Sequence, residues 1–163
     1  MIVRGRERPD EPHSFWLIDE GGSKPRRLDA GTFQPWAVGV LRSWAIAPDG
    51  QHVAVKTAID TISLVPLAGG PAHEVRIADT NLGVSRWSGD GRSLFLARAS
   101  GWPCEIHRLD LATETVELWK RVAPPDPTGM VFCSGILPSA DGRSYVYTAN
   151  RSLASLIVAE GLR

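Results

Sequence analysis

The sequence predicts an all-β fold built from a repeated unit of four short antiparallel strands. The first observation is a nine-residue pattern, an Asp-Gly pair followed by an apolar run, that occurs three times in the chain. The second is a composition rich in turn formers, with 16 Gly and 12 Pro among 163 residues. The third is that no segment has a 3.6-residue apolar period long enough to predict a helix. We therefore expect many turns and short strands in a chain of single-domain size.

Each Asp-Gly pair predicts a tight turn between two strands. The three copies are "APDGQHVAV" from Ala47, "SGDGRSLFL" from Ser88 and "SADGRSYVY" from Ser139. Glycine provides the positive φ of such a turn, and the aspartate can accept a hydrogen bond from the turn's backbone. The run that follows each turn is apolar at successive positions, which predicts strands buried on both faces between stacked sheets.

A second hairpin follows each of the first two Asp-Gly hairpins. It is "TISLVPLAGGPAHEV" from Thr61 and "EIHRLDLATETVEL" from Glu105, where "AGG" and "ATE" separate two strand-like runs. The same signal occurs in "FWLIDEGGSKPRRL" from Phe15, and in cut-off form in the final "LASLIVAEGLR". Each unit therefore has four strands, here called a, b, c and d, with Asp-Gly between a and b.

The spacing of the units predicts a β-propeller. The Asp-Gly turns lie 41 and then 51 residues apart, and a period of about 40 to 50 residues with four strands is typical of propeller blades. The ten extra residues fall in the Pro-rich segment "RVAPPDPTGM" at 121–130, which predicts a long loop. We predict a partial propeller of about three to four blades in one domain: an incomplete blade at 1–35, blades at 36–80 and 81–126, and an incomplete blade at 127–163.

These repeats resemble the TolB-like, WD-repeat-like β-propeller repeats of bacteria over essentially the whole chain. The residues that carry the resemblance are the Asp-Gly turns, "RSLFLAR" and "IHRLDLATETVEL". The ending "DGRSYVYTANRSLASLIVAEGLR" is similar to the last blade of propellers attached to bacterial serine/threonine protein kinases. In TolB-like relatives the propeller recruits protein partners, so the resemblance implies a protein partner.

Two sheet faces are expected to lack a neighbouring blade. A propeller of this kind is expected to have about six or seven blades, whereas this chain begins in strand b and ends in strand c, near residues 156–158. One expectation is that the chain is part of a longer protein. A second is a head-to-tail homodimer that closes a ring of about eight blades. A third is an open stack of sheets that stands alone.

Composition excludes several classes of partner. The net charge is zero, with 18 basic and 18 acidic residues and no run of like charge, so neither nucleic acid nor an anionic membrane is expected. No membrane span or secretory signal is expected either, which favours the cytoplasm for the chain as given; the resemblance also allows the periplasm. Cys104 and Cys133 lack metal-ligand spacing, and we expect both to be buried thiols without a disulfide.

No catalytic or cofactor motif was found. The sequence has no GxSxG, HExxH, GxxxxGK[ST] or kinase signature, and the Asp-Gly turns lack the further carboxylates of a calcium loop. We therefore predict a protein without catalytic residues, metal or cofactor.

The irregular loops predict where a partner would bind. In an antiparallel blade the b–c loops and d–a connections share one rim, and rigid scaffolds carry binding residues on such loops. Aromatic and arginine side chains often anchor interfaces. The candidate residues are Trp36, Asp60, Asn81, Trp102 and Arg151, each of which has packing or solvation as its alternative explanation.

The leading functional hypothesis is a non-enzymatic binding or sensor propeller, forming the C-terminal part of a larger signalling protein. The alternative is an accessory propeller of a prolyl-oligopeptidase-like hydrolase whose catalytic domain lies outside this chain. A self-sufficient homodimer with a small-molecule site at its axis is the third hypothesis.

Overall fold

A computed structural model describes residues 1–11, 13–18, 21, 24–29, 44–98 and 102–154 of the chain. Within these ranges there are strands, turns and bends but no α-helix, which confirms the all-β prediction. No helix in the described part is long and apolar enough to cross a membrane.

The strands form four antiparallel sheets, which we number I to IV in chain order. Sheet I contains β1 (Ile2–Gly5), β2 (Ser14–Leu17) and β3 (Arg26–Arg27). Sheet II contains β4 (Trp44–Ile46), β5 (His52–Ala58), β6 (Thr61–Pro66) and β7 (His73–Arg76). Sheet III contains β8 (Leu82–Trp87), β9 (Ser93–Arg98), β10 (Cys104–Asp110) and β11 (Val116–Val122). Sheet IV contains β12 (Met130–Pro138) and β13 (Tyr145–Arg151).

Strands in each sheet are hydrogen-bonded in chain order, as expected for consecutive hairpins. Sheets II and III have all four strands, sheet I has the predicted b, c and d strands, and sheet IV has a and b. The predicted c strand near residues 156–158 lies outside the described residues. The blade boundaries given above stay a prediction.

The Asp-Gly turns adopt the predicted geometry. Gly50, Gly91 and Gly142 have φ of 67°, 70° and 68°. In the first turn the amide of Gln51 donates to Oδ1 of Asp49 over 2.8 Å, and the same bond recurs at 3.0 Å in the other two turns. Local chemistry therefore fixes all three a–b reversals.

The first strands of sheets II to IV are neighbours in space. Strand β8 contacts β4 on one side and β12 on the other. The indole Nε1 of Trp87 donates to the carbonyl of Ala45 over 2.9 Å, and Oγ of Ser85 donates to the carbonyl of Ile136 over 2.7 Å. These three sheets are thus arranged like blades whose a strands line a common axis.

Three apolar clusters fill the spaces between successive sheets. On β5, Val53 and Val55 pack in the cluster with sheet I, and Ala54 packs in the cluster with sheet III. On β9, Leu96 packs toward sheet II and Phe95 toward sheet IV. Sheets II and III are therefore buried on both faces, as the apolar runs predict, and a fully buried aliphatic side chain contributes about 1.5 to 3 kcal/mol to folding.

Sheet IV departs from this pattern on its outward face. Tyr145 and Tyr147 pack against the cluster shared with sheet III, but Val146 between them is 65% exposed. The prediction of a strand buried on both faces is wrong here, because no described residue covers that side of the sheet.

The prediction of two buried thiols is also wrong. Both sulfurs are buried, but Cys104 and Cys133 form a disulfide, with their Cα atoms 5.9 Å apart. Cys104 begins β10 and Cys133 lies in β12, so packing of sheet IV on sheet III brings the two together. The bond covalently joins two neighbouring blades.

Candidate binding surface

Two rims with different chemistry lie at the ends of the strands. The first rim holds the b–c loops and d–a connections, and we call it the loop rim. Its described residues are 57–61, 78–82, 102–104, 121–130 and 150–152. We call the turn rim the Asp-Gly turns at 47–51, 88–92 and 139–143. The antiparallel order of each sheet puts these at opposite strand ends.

Two of the predicted residues lie where sheets II and III meet the loop rim. Asp60, in the β5–β6 turn, accepts hydrogen bonds from Oγ1 of Thr61 at 2.9 Å and from the guanidinium of Arg76 at 2.6 Å. The Thr61 bond and the Arg76 charge hold the pKa of the Asp60 carboxyl below its usual value, with burial opposing them in part. Asn81 is exposed, and its backbone amide donates to Oδ1 of Asp79 over 3.0 Å.

Two further predicted residues lie on the loop rim of sheets III and IV. The side chain of Trp102 is 39% exposed just before β10. At the end of β13, the guanidinium of Arg151 donates to the carbonyl of Asp126 over 2.6 Å and lies 3.5 Å from its carboxylate. Trp36 lies outside the described residues. In the described part of the chain, no hydrogen bond or ion pair joins any two of Asp60, Asn81, Trp102 and Arg151.

The structure shows a charged network on this rim that the sequence did not predict. Glu105 accepts from Arg98 at 3.1 Å and from Arg121 at 3.2 Å, and its oxygen lies 3.3 Å from Nε2 of His107. Arg98 also donates to Asp79 over 2.8 Å, so the network reaches from β9, β10 and β11 to the connection before β8. Arg121 is the most accessible arginine of the network, with 67% of its side chain exposed.

Glu105 is the centre of this network. Burial alone would raise the pKa of its carboxyl, but the bonds from Arg121, His107 and Arg98 outweigh burial and hold that pKa below its usual value. The carboxylate is therefore ionised at neutral pH and fixes both guanidinium groups.

Lys56 connects the network to sheet II. Its side chain is buried, and its ammonium donates to the carbonyl of Thr80 over 2.6 Å and to the carbonyl of Leu82. Burial lowers the pKa of Lys56, while the carboxylates of Asp79 and Asp60 act in the opposite direction. The lysine thus joins β5 to the connection that leads into β8.

One sequence signal could have indicated part of this network. Glu105, the second residue of β10, lies directly beside Arg98 at the end of β9, because Ile106 pairs with Ala97 in the antiparallel register. Opposite charges at facing positions of neighbouring strands commonly pair. The partners Asp79 and Thr80 had no such signal, because they come from the connection between blades.

The turn rim holds a cleft of about 510 Å³ between sheets III and IV. It lies between the turns of Asp90 and Asp141, over the rings of Phe95 and Trp119, whose centroids are 5.0 Å apart. Gly142 lies beside both rings, where an added Cβ would be 3.4 Å from Phe95 and 3.5 Å from Trp119. The cleft follows from packing between the two sheets and shows no catalytic constellation.

Neither rim shows the arrangement of a metal site. Among the described residues, no group of three or more His, Cys, Asp or Glu side chains could hold a metal ion. The loop rim offers guanidinium and carboxylate groups paired by hydrogen bonds, with Trp102 exposed just before β10.

Comparison with solved structures identifies the architecture. The structure is similar to TolB from Acinetobacter baumannii, with a TM-score of 0.60 and 19% identity over 91% of this chain and 35% of that one. The chain has a TolB-like β-propeller fold. It spans about a third of the TolB chain, which agrees with a partial propeller. A further similarity is to the tricorn protease, with a TM-score of 0.49 and 15% identity over 88% of this chain and 14% of that one. No family model matches the sequence, and no curated protein matches it.

Proposed function

We propose that this partial propeller is a non-enzymatic module that binds a protein through its loop rim. The observation that carries the proposal is the Arg98–Glu105–Arg121 network, which fixes an accessible arginine on a rigid sheet. Arginine and tryptophan are enriched among the residues that dominate protein interfaces. The TolB-like fold supports the proposal by analogy, because the family resemblance implies a protein partner.

Trp102 and Arg121 are proposed as the centre of this surface. Arg121 pairs with Glu105 and Val122 pairs with Cys104, so the end of β11 lies beside the start of β10 that Trp102 precedes. Both side chains are accessible, Trp102 by 39% and Arg121 by 67%. An indole just before β10 and a guanidinium on the adjacent strand β11 suit a partner with an acidic side chain next to an apolar one. Asp60, Asn81 and Arg151 are candidates for the periphery of this surface, and Trp36 stays a candidate from the sequence alone.

The larger context is also part of the proposal. We place the module in the C-terminal part of a larger signalling protein, supported by the similarity of the last two dozen residues to propellers of bacterial protein kinases. An accessory propeller of a hydrolase is the alternative. Sequencing of the complete gene separates the two: a kinase domain upstream supports the first, and an α/β-hydrolase domain downstream supports the second.

Site-specific photocrosslinking tests the binding surface. A photoreactive phenylalanine analogue is placed at position 102 or at 121 in the host cell, and at 143 as a control. Arg143 has a matched exposed side chain, 88% accessible, but lies on the turn rim. We expect 102 and 121 to capture the same protein and 143 not to capture it.

The captured partner is then purified and titrated against the purified chain. Trp102→Ala and Arg121→Ala should each weaken binding by at least about tenfold, and Arg143→Ala by less than about twofold. The proposal is overturned if the partner crosslinks at 143 instead of the loop rim, or if both loop-rim variants bind as tightly as the unchanged chain.

A further inference from the structure

The outward face of sheet IV has the composition of an inter-blade surface. Because Tyr145 and Tyr147 point toward sheet III, alternation along β13 places Val146 and Thr148 on the opposite face. Leu137 faces Val146 in the register of β12 and β13. Phe132 faces Asn150 in the same register and is 37% exposed. Val146, Leu137 and Phe132 are thus the apolar residues of this face, which also holds Thr148 and the hydrogen bond from Nδ2 of Asn150 to Oγ of Ser134.

The repeat shows which positions in sheets II and III correspond to Val146. Val146 lies five residues after Asp141, just as Phe95 follows Asp90 and Ala54 follows Asp49. Ala54 and Phe95 are only 0% and 4% exposed, because the next sheet covers each of them. Val146, with 65% exposure, is the same position, and no described sheet covers it. The interface that recurs between sheets II and III and between III and IV therefore continues onto this face.

Sheet I has the complementary face. Ile2 and Phe15 pack toward sheet II, so alternation places their neighbours Val3 and Trp16 on the other side, where both are partly exposed and paired in register. In sheets II and III the corresponding side holds Val55 and Leu96, among other residues, which pack on the preceding sheet. The chain therefore has one face that accepts a following sheet and another that packs on a preceding one.

We propose that the outward face of sheet IV binds the Val3–Trp16 face of sheet I in a second copy of this chain. The contact is head-to-tail, and two copies that make it reciprocally share a two-fold axis and bury all four faces. It uses the blade faces, so it is independent of the loop-rim surface proposed above. Further blades of a longer protein would occupy the same two faces, and a monomeric chain in the test below is the result expected from that alternative. An exposed apolar sheet face also favours association on general grounds.

Light scattering after size exclusion, at several concentrations of the purified chain, tests the proposal. We expect a concentration-dependent dimer of twice 17.7 kDa. Val146→Asp places an unpaired carboxylate in the contact and should raise the dissociation constant by at least about 100-fold. Val146 is exposed in the single chain, so this variant keeps the fold and its mass is interpretable by itself. Leu118→Asp, at a position on β11 that is 45% exposed, is the matched control and should leave the dimer intact.

Mixing two variants tests the head-to-tail geometry. Circular dichroism first shows whether the Trp16→Asp variant is folded. The folded variant should be monomeric, as we expect for Val146→Asp. An equimolar mixture should restore a dimer, because the sheet IV face of the Trp16 variant and the sheet I face of the Val146 variant are both intact. A wild-type chain that is monomeric at about 100 μM, a Val146→Asp variant that still dimerises, or a mixture of two folded variants that stays monomeric would overturn the proposal.

Discussion

The ammonium group of Lys56 lies inside the molecule and donates to the carbonyl of Thr80, in the connection between blades, and to the carbonyl of Leu82, the first residue of β8. Lys56 satisfies both carbonyls at a point where sheet II meets sheet III. The lysine therefore has a structural role on the loop rim, since it positions the connection that also carries Asp79 and Asn81. A buried donor in this place specifies how the two sheets meet.

We predict that Lys56→Met lowers the free energy of unfolding by about 2 kcal/mol at neutral pH, because the buried carbonyl of Leu82 and the partly buried carbonyl of Thr80 lose a charged donor. Urea unfolding followed by tryptophan fluorescence measures this change. Lys24→Met, at an exposed lysine, is the control and should change stability by less than about 0.5 kcal/mol. A Lys56→Met variant as stable as the control would mean that the carbonyls find other donors.

The lowered pKa of Lys56 predicts that the difference in stability between the unchanged protein and Lys56→Met depends on pH. Burial lowers the pKa of Lys56 in the folded chain, so the unfolded chain binds more protons between that lowered pKa and the ordinary value of 10.5. The stability of the unchanged protein should therefore rise with pH through this window relative to Lys56→Met. The unfolding free energies of the unchanged protein and of Lys56→Met are measured at about pH 7 and at about pH 10. The unchanged protein should gain stability over the variant at the higher pH, and a smaller advantage there would contradict the lowered pKa.

At the scale of elements, hairpins were predictable and their contacts with other blades were not. The Asp90-Gly91 turn is determined by residues two or three apart, such as Arg92 donating to Asp90, and its sequence signal is complete. The bond from Arg98 to Asp79 spans 19 residues. The bond from Lys56 to Leu82 spans 26. Such partners depend on how blades pack, which a turn motif does not specify.

The disulfide shows the same limit. Its cysteines are separated by 29 residues, and neither has a sequence pattern that points to the other. Only the packing of β12 on sheet III brings Cys133 to Cys104. Of the loop rim, the sequence suggested residues at the strand ends as candidates but did not suggest the Glu105 network, because the members of that network come from separate strands and carry no common motif.

Reduction of this disulfide is predicted to destabilise the junction of sheets III and IV. Closing a loop of 29 residues is worth about 3.5 kcal/mol in the chain-entropy model. Urea unfolding with and without dithiothreitol measures the loss. Alkylation of the unfolded, unreduced chain followed by mass spectrometry is the control, and it should label neither cysteine. Two labelled cysteines there, or an unchanged unfolding midpoint, would contradict the prediction.

The described residues form a row of sheets in which the inner members are covered on both faces, and the outer members are covered by described residues on one face. Sheets II and III hold most of the fully buried side chains, including Val53, Leu94 and Ile106. Sheet IV has two described strands and contributes two residues to its cluster that are nearly fully buried, Cys133 and Ile136. In such a stack, stability decreases toward the ends, because each unit depends on its nearest neighbours.

Native-state hydrogen exchange should follow this order, at a concentration low enough to keep the chain monomeric. Hydrogen-bonded amides of β5, β6, β9 and β10 should exchange slowest. Those of β13 should exchange faster than these, since sheet IV can open while sheets II and III stay packed.

Reduction of the disulfide should speed exchange in β12 and β13 by at least about tenfold and affect β5 and β6 less, because the covalent link holds sheet IV to sheet III alone. Mass spectrometry of peptic fragments resolves these strands. Equal protection in all four sheets would mean that the molecule unfolds as one cooperative unit, with its outer sheets held as firmly as its inner ones.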